Sequence, residues 1–231
     1  MKILSAVLIA LIIGYCLGSV NFSIVVVKLM TGQDIREMGS KNAGLTNTFR
    51  CAGKTCALLT LAGDVLKGIL SVGVSTMIAS ALNAGFSPDN DVMYIGYISA
   101  ISAVMGHIFP VYYNFRGGKG VLTAATAFAM IDIKIFLAIF AVFVVILALS
   151  KYVSLASIFS ASLCPIAVFM MSFIVDDVSL GKSILYTILS LVIAVTVVWK
   201  HKANIERLIA GNENKFSFKG GKLSKKITLK F

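Results

Sequence analysis

The feature that most restricts this chain is a series of apolar runs, each close to the length a bilayer demands, separated by short polar segments. Crossing a hydrocarbon core of roughly 30 Å takes about 20 helical residues. Within that core every backbone N–H and C=O must be paired inside the segment, which favours helices. Runs at 3–28, 54–82, 93–113, 119–131, 134–150, 153–174 and 181–199 are therefore read as spans. The expected fold is all-α: a polytopic membrane helix bundle of about seven transmembrane helices. Asp132 and Lys134 interrupt one apolar stretch from Val121 to Leu149, so the fourth and fifth spans stand open against a single long tilted helix. Composition agrees, since 58% of the 231 residues are hydrophobic and 13% charged, about half the charged share of a soluble domain. No internal repeat or low-complexity segment divides the chain, and residues 1–231 read as one membrane domain.

The first run, MKILSAVLIALIIGYCLGS, has the charged start and apolar core of a signal peptide. Apolar character resumes through NFSIVVVKLM, however, and Tyr15 before Cys16 spoils a lipoprotein-type cleavage box. A retained first helix is expected.

A net charge of +11 raises the question of nucleic acid, but the cations sit in the gaps between runs and in a tail beginning at Lys200. That distribution fits positive-inside topology and contact with anionic lipid or phosphate, and it argues against a nucleic-acid partner. Lys28, Arg36, Lys41, Arg50 and Lys54 follow the first run, Arg116 and Lys119 the third, Lys151 the fifth, and Lys200, Lys202 and Arg207 the seventh. The alternate loops hold Asp89, Asp91, Asp132, Asp176 and Asp177, with only Lys134 and Lys182 as cations. The N-terminus is expected outside and the C-terminus in the cytoplasm, with every motif-like loop on the cytoplasmic face. The four cysteines, Cys16, Cys51, Cys56 and Cys164, have neither metal-ligand spacing nor a disulfide framework. Two histidines, His107 and His201, are too few for a His-rich metal site.

Four polar stretches can carry chemistry. In GHIFPVYYNFRGGKG, residues 106–120, the glycines before Lys119 permit close approach of a ligand, and consecutive N–H groups ahead of a helix make an anion site. It is not a Walker A loop: Val121 follows Gly120, and no strand precedes it. A flexible interfacial turn with a snorkelling lysine accounts for it equally well. MGSKNAGLTNTFR, residues 38–50, combines short polar groups with Arg50, whose planar fork suits phosphate, although an ordinary capped loop has the same residues. HKANIERLIAGNENK, residues 201–215, puts His201 and Asn204 on one helix face, with Ile205, Leu208 and Ile209 on the other, as in a surface-lying helix. Its H-x4-E spacing from His201 to Glu206 is helical, so no catalytic dyad is read from it. Asp64 and Lys67 lie inside the second span, three apart, and a mutual ion pair is preferred over Lys67 reaching a ligand phosphate. Ser154 and Ser157 in KYVSLAS are more naturally bonded to the i−4 carbonyl.

Taken together these stretches resemble the bacterial acyl-phosphate:glycerol-3-phosphate acyltransferases of the small integral-membrane type. The family pattern runs GS-x-N-x-G-x-TN, then H-x-FP-x4-F-x-GGKG-V-x-T, then H-x2-NI-x-RL-x2-G-x-E-x-K. It is matched here by Gly39–Asn47, His107–Thr123 and His201–Lys215, in order and across nearly the whole chain. Leu45 and Leu122 stand where the family has Ala, and Asn21 where Pro is frequent. The resemblance implies a bacterial inner-membrane enzyme that moves an acyl group from acyl phosphate to the sn-1 hydroxyl of glycerol 3-phosphate, without cofactor or metal. It implies a catalytic set of Lys119, Ser154, His201 and Asn204. Substrate binding would fall to Ser40, Asn42, Gly44, Thr46, Asn47 and Arg50 of the first loop, and to His107, Gly117, Gly118 and Gly120 of the second. Which substrate phosphate Lys119 holds stays open, as do chain-length preference and oligomeric state.

An acyl phosphate is already activated, so such an enzyme needs positioning and charge neutralisation more than a strong nucleophile. A substrate phosphate oxygen would take the hydroxyl proton. The rival reading from another class is a transporter for an organic phosphate anion, which would set its polar groups near the midplane and often carries inverted repeats. A scaffolding membrane protein would have no use for these loops.

Overall fold

The computed structural model describes residues 1–85 and 91–217. Asp89 and the end of the basic tail, 218–231, lie outside these. The described residues form helices and turns. Six helical units are long and apolar enough to cross a membrane. The first is split: α1 (Lys2–Ser19) ends at extended Val20, and Asn21 caps α2 (Phe22–Thr31) by accepting from the Ile24 N–H. The others are α3 (Leu45–Ala81), α4 (Met93–Ile108), α6 (Ile133–Ser150), α7 (Val153–Phe169, widening into a π-helical segment Met170–Val175) and α8 (Leu180–Lys200). A short α9 (Lys202–Ile209) continues from α8.

The expected seven spans become six plus a short one. α5 (Val121–Ile131) has 11 residues, about 16 Å of helix, which is half the hydrocarbon thickness. The open question over residues 121–149 is thereby answered as two helices. Asp132 takes an extended backbone (φ −155, ψ 114), and its carboxylate accepts the Lys134 N–H at 2.8 Å, capping α6. α5 and α6 share this corner, yet α6 is seven residues longer (18 against 11), so the start of α5 lies about 10 Å short of the far end of α6. The segment carrying Lys119 is thus recessed into the bundle.

α1 packs along α4 and α3, α5 sits between α3, α4 and α6, and α7 is flanked by α6 and α8. Small residues let α1 and α4 approach closely: a Cβ on Gly18 would meet the Ala103 carbonyl at 2.2 Å. The core layer centres on Tyr97, Phe128 and Tyr186, with Tyr97 and Tyr186 stacked at 5.2 Å. At the end away from the site, Lys134 pairs with Asp176, and Lys182 with Asp91 at 2.7 Å. α3 also corrects a boundary. The first polar stretch is helical from Leu45, and a break at Gly53 (φ 81, ψ −178) divides that first turn pair from the span proper. Arg50 therefore stands on a short helical ledge, not in an open loop.

Candidate active site

The three polar segments meet at one end of the bundle, around a cavity of about 620 Å³. Its polar end is lined by Ser40, Arg50, Lys119, Ser154, His201 and Asn204. Away from these it turns apolar, between Leu61, Val65 and Ile69 of α3, Ala125 and Ala129 of α5, and Phe136, Phe140 and Phe143 of α6. A polar head and an oily tail in one continuous space suit an amphiphile.

Lys119 is one of the cations at this end. Its ammonium donates to Asn204 Oδ1, while Asn204 Nδ2 donates to Glu213 Oε1 at 2.7 Å. Ser154 Oγ donates to the same Glu213 oxygen at 2.9 Å, and Arg207 Nε to Oε2 at 2.7 Å. Glu213 is thus the hub of the polar end. Burial pulls the Lys119 ammonium down to about 8; Glu213 opposes this, and Arg207, Arg50 and Lys200 add to it. Burial alone would raise the Glu213 carboxyl, but hydrogen bonds from Asn204, Arg207 and Ser154 hold it below its usual range.

His201 sits where α8 passes into α9, 2% exposed. Its Nδ1 lies 2.8 Å from the Val197 carbonyl, which only accepts, so Nδ1 carries the proton and Nε2 is left as an acceptor. Burial, then the neighbouring Lys119, push this ring down to about 4, so it is neutral at physiological pH. Asn204, one turn on, is the buried residue of α9, as the shared-face spacing predicts.

In the first segment the polar residues divide their work. Asn47 is buried, and its Nδ2 faces the carbonyls of Met38 and Asn42 at 2.9 and 3.1 Å, while Oδ1 accepts the Ser40 N–H at 3.0 Å. Its side chain therefore shapes the loop. Gly44 caps α3, and Asn42, Gly44 and Thr46 line the cavity wall. Arg50 donates to the Asn214 carbonyl at 3.1 Å, tying the ledge to the segment after α9.

The glycines of the second segment have a different task from the expected N–H cradle. The Gly117 N–H donates to the Ile108 carbonyl at 3.2 Å and the Gly118 N–H to the His107 carbonyl at 3.1 Å, so neither is offered to an anion. Small size is what they contribute. A Cβ on Gly117 would stand 2.0 Å from the His107 carbonyl. Gly120 (φ 81) lines the cavity and caps α5, whose first N–H groups and positive end lie beside Lys119. The groups this segment leaves available to an anion are accordingly the start of α5 and Lys119.

This constellation has relatives. The sequence pattern of the family described as glycerol-3-phosphate acyltransferase matches residues 8–211. The chain belongs to that family. A glycerol-3-phosphate acyltransferase of Clostridioides difficile is 37% identical over 95% of this chain and 99% of its own length. One of Syntrophomonas wolfei is 37% identical over 90% and 96%. Among solved structures, the crystal structure of PlsY (YgiH), an integral membrane glycerol 3-phosphate acyltransferase, in its glycerol 3-phosphate form is 32% identical, with a TM-score of 0.75 over 91% of this chain and 96% of that one. Its lysophosphatidic acid form gives 30% and 0.73 over 91% and 95%.

In this acyltransferase, sequence reasoning missed Glu213 and Arg207 as site residues. Both stand in the quoted H-x2-NI-x-RL-x2-G-x-E-x-K pattern, so the signal is present, but only His201 and Asn204 of that stretch are expected as site residues. The Asp64–Lys67 pair is as expected, at 2.9 Å, and it too borders the site through His107. Ser157 follows the expected i−4 pattern, donating to Val153 O at 2.8 Å, whereas Ser154 instead turns to Glu213.

The lowered Lys119 value carries a pH prediction. An ammonium attracts an anion only while protonated, so any phosphate affinity contributed by Lys119 is lost as pH rises through about 8. Phosphate monoesters complete their ionisation near pH 6, so the substrate does not cause a change at pH 8–9. KM, measured for glycerol 3-phosphate and for the acyl donor in turn, is expected to rise by up to about tenfold per pH unit above 8 for the substrate whose phosphate Lys119 contacts, the limit for a single required proton. In Lys119→Arg, whose guanidinium does not titrate there, that rise should vanish even if activity is lower. An unchanged alkaline limb in the Arg variant would assign the titration to another group.

Proposed function

We propose that this acyltransferase takes its acyl group from an acyl phosphate and delivers it to the sn-1 hydroxyl of glycerol 3-phosphate, forming 1-acyl-glycerol 3-phosphate and inorganic phosphate. The hydroxyl oxygen attacks the acyl carbon, and the bond from that carbon to the bridging oxygen breaks. The leaving phosphate keeps the electron pair, and a substrate phosphate oxygen takes the hydroxyl proton. The observation that carries this reading is the junction of a cationic end (Lys119, Arg50, Arg207 and the start of α5) with an apolar channel in one cavity. Two phosphates repel each other, and cations around them offset that repulsion.

In this reading the proton goes to a substrate phosphate oxygen, as the family resemblance implies; His107 Nδ1 faces Lys67, and the His201 ring, pushed down to about 4, is a weak base. In this reading Lys119, Ser154, His201 and Asn204 form the catalytic set, Ser40, Arg50 and the α5 start bind phosphate, and the acyl tail lies along the α3–α5–α6 channel. The motif end faces the cytoplasm of a bacterial inner membrane, with the N-terminus outside.

The test is acylation by the purified protein in nanodiscs, without added divalent metal. Palmitoyl phosphate with glycerol 3-phosphate is expected to give stoichiometric 1-palmitoyl-glycerol 3-phosphate and phosphate. Turnover with palmitoyl-CoA but not with palmitoyl phosphate would overturn the donor assignment. Uptake of glycerol 3-phosphate into liposomes without acylation would point to transport.

A further inference from the structure

Behind the cavity wall lies a buried polar node. Lys67, 3% exposed in the middle of α3, has three ammonium protons and three aligned acceptors. These are the Gly18 carbonyl at 3.1 Å, the Val20 carbonyl at 3.0 Å and His107 Nδ1 at 2.7 Å. The two carbonyls belong to the α1–α2 break, where the helix has ended and leaves them unpaired. Asp64 Oδ1, 2.9 Å from the ammonium, balances the charge as an ion pair without an aligned hydrogen bond.

An ammonium has no lone pair, so His107 Nδ1 must be the acceptor and the ring proton must sit on Nε2. That second nitrogen faces the site loops. A Cβ on Gly118 would stand 2.2 Å from His107 Nε2 and 2.3 Å from the Ala43 carbonyl, so ring, second loop and first loop meet at one point. Asn21 adds a strut from the same break, its Nδ2 reaching the Ala43 carbonyl at 3.4 Å. A proline at this position would lack that amide.

We propose that Lys67 is a positioning residue for acyl transfer: through His107 it sets the register of residues 117–120 against Ala43, and so where Lys119 stands relative to the first loop. The inference rests on the acyl-transfer reading for its kinetic arm. A buried ammonium is costly among apolar helices unless fully paired; here one pairing ends on His107, which lines the cavity, and two end on the α1–α2 break that Asn21 ties to Ala43. An ion pair that only stabilised α3 would need Asp64 alone.

The first variant is Asp64→Asn/Lys67→Met, which removes both charges together and leaves no uncompensated one. The second is His107→Asn, whose carbonyl oxygen replaces Nδ1 towards Lys67 but which has nothing at the Nε2 position. For both, kcat for acyl transfer is expected to fall about 10²-fold, the cost of roughly 1 Å of misplacement. KM for glycerol 3-phosphate should change by less than about threefold, the signature of lost alignment over lost binding.

Because the chain has only two histidines, ¹⁵N-histidine spectra in nanodiscs read the node directly. The wild type should display one ring protonated on Nε2 and one on Nδ1. The double variant should lose the fixed tautomer of His107 and keep that of His201. Wild-type kcat in His107→Asn would overturn the proposal. So would a double variant whose losses track a collapse in thermal midpoint and a change at His201. If the wild type uses acyl-CoA instead of acyl phosphate, the donor reading fails, and the same kinetic comparison with that donor still decides the role of Lys67.

Discussion

Lys119→Ala is expected to reduce kcat/KM for glycerol 3-phosphate by at least about 10²–10³-fold, the usual effect of deleting one preorganised donor at developing charge. The protein should still fold, because Lys119 is held by one hydrogen bond to Asn204 and lines a cavity, so truncation opens space without stranding a buried counter-ion. Asn204 retains Glu213 as partner. The discriminating measurement is steady-state acyl transfer alongside the thermal midpoint in detergent. An active Lys119→Ala would mean that the start of α5 and the arginines neutralise both phosphates unaided, and the cavity would need a different chemical reading.

The second large effect is expected at Gly118→Ala. One methyl group would have to occupy a point 2.2 Å from the His107 ring and 2.3 Å from the Ala43 carbonyl, neither of which is the free end of a flexible chain. Overpacking of this kind costs about 1–3 kcal/mol. The strain has a soft outlet, the parting of the two loops, and a shift of about 1 Å there is worth about 10²-fold in rate. A drop in kcat/KM of that order, with a modest fall in the thermal midpoint, is the expected pair of results. Gly181, with open space around it, is the matched control and should be indifferent to Ala apart from helix propensity. Equal behaviour of the two variants would show that the loops do not press on each other as described.

Gly118 also marks how far the sequence could be read. GGKG was legible as a special segment, and the reason first assigned to its glycines, free N–H groups for an anion, is met only from Gly120 onward. Gly117 and Gly118 are small because the His107 backbone and ring fill the space beside them, and no local pattern can reveal a neighbour ten residues away. Glu213 was likewise visible as one letter of a quoted motif. Its importance arises from Ser154, Asn204 and Arg207 arriving around it, from α7 and α9. Arg50 was legible as a cation for the site, whereas its bond to the Asn214 carbonyl depends on where the chain after α9 returns.

Hydropathy acts on each segment separately, through the transfer free energy of its own side chains into hydrocarbon, so the sequence alone established a membrane helix bundle, most of its long spans and the motif segments on which the family rests. Asp132 marked where the 121–149 stretch could break, and the structure alone decided that it does. Tertiary structure decided the rest: the recess left by the short α5, which donors remain free, and the convergence of Lys67, His107 and Ala43 behind the site. Hydrogen bonds are saturable and directional, so which groups stay available to a substrate depends on the partners that folding brings within about 3 Å, and that is a property of the assembled bundle.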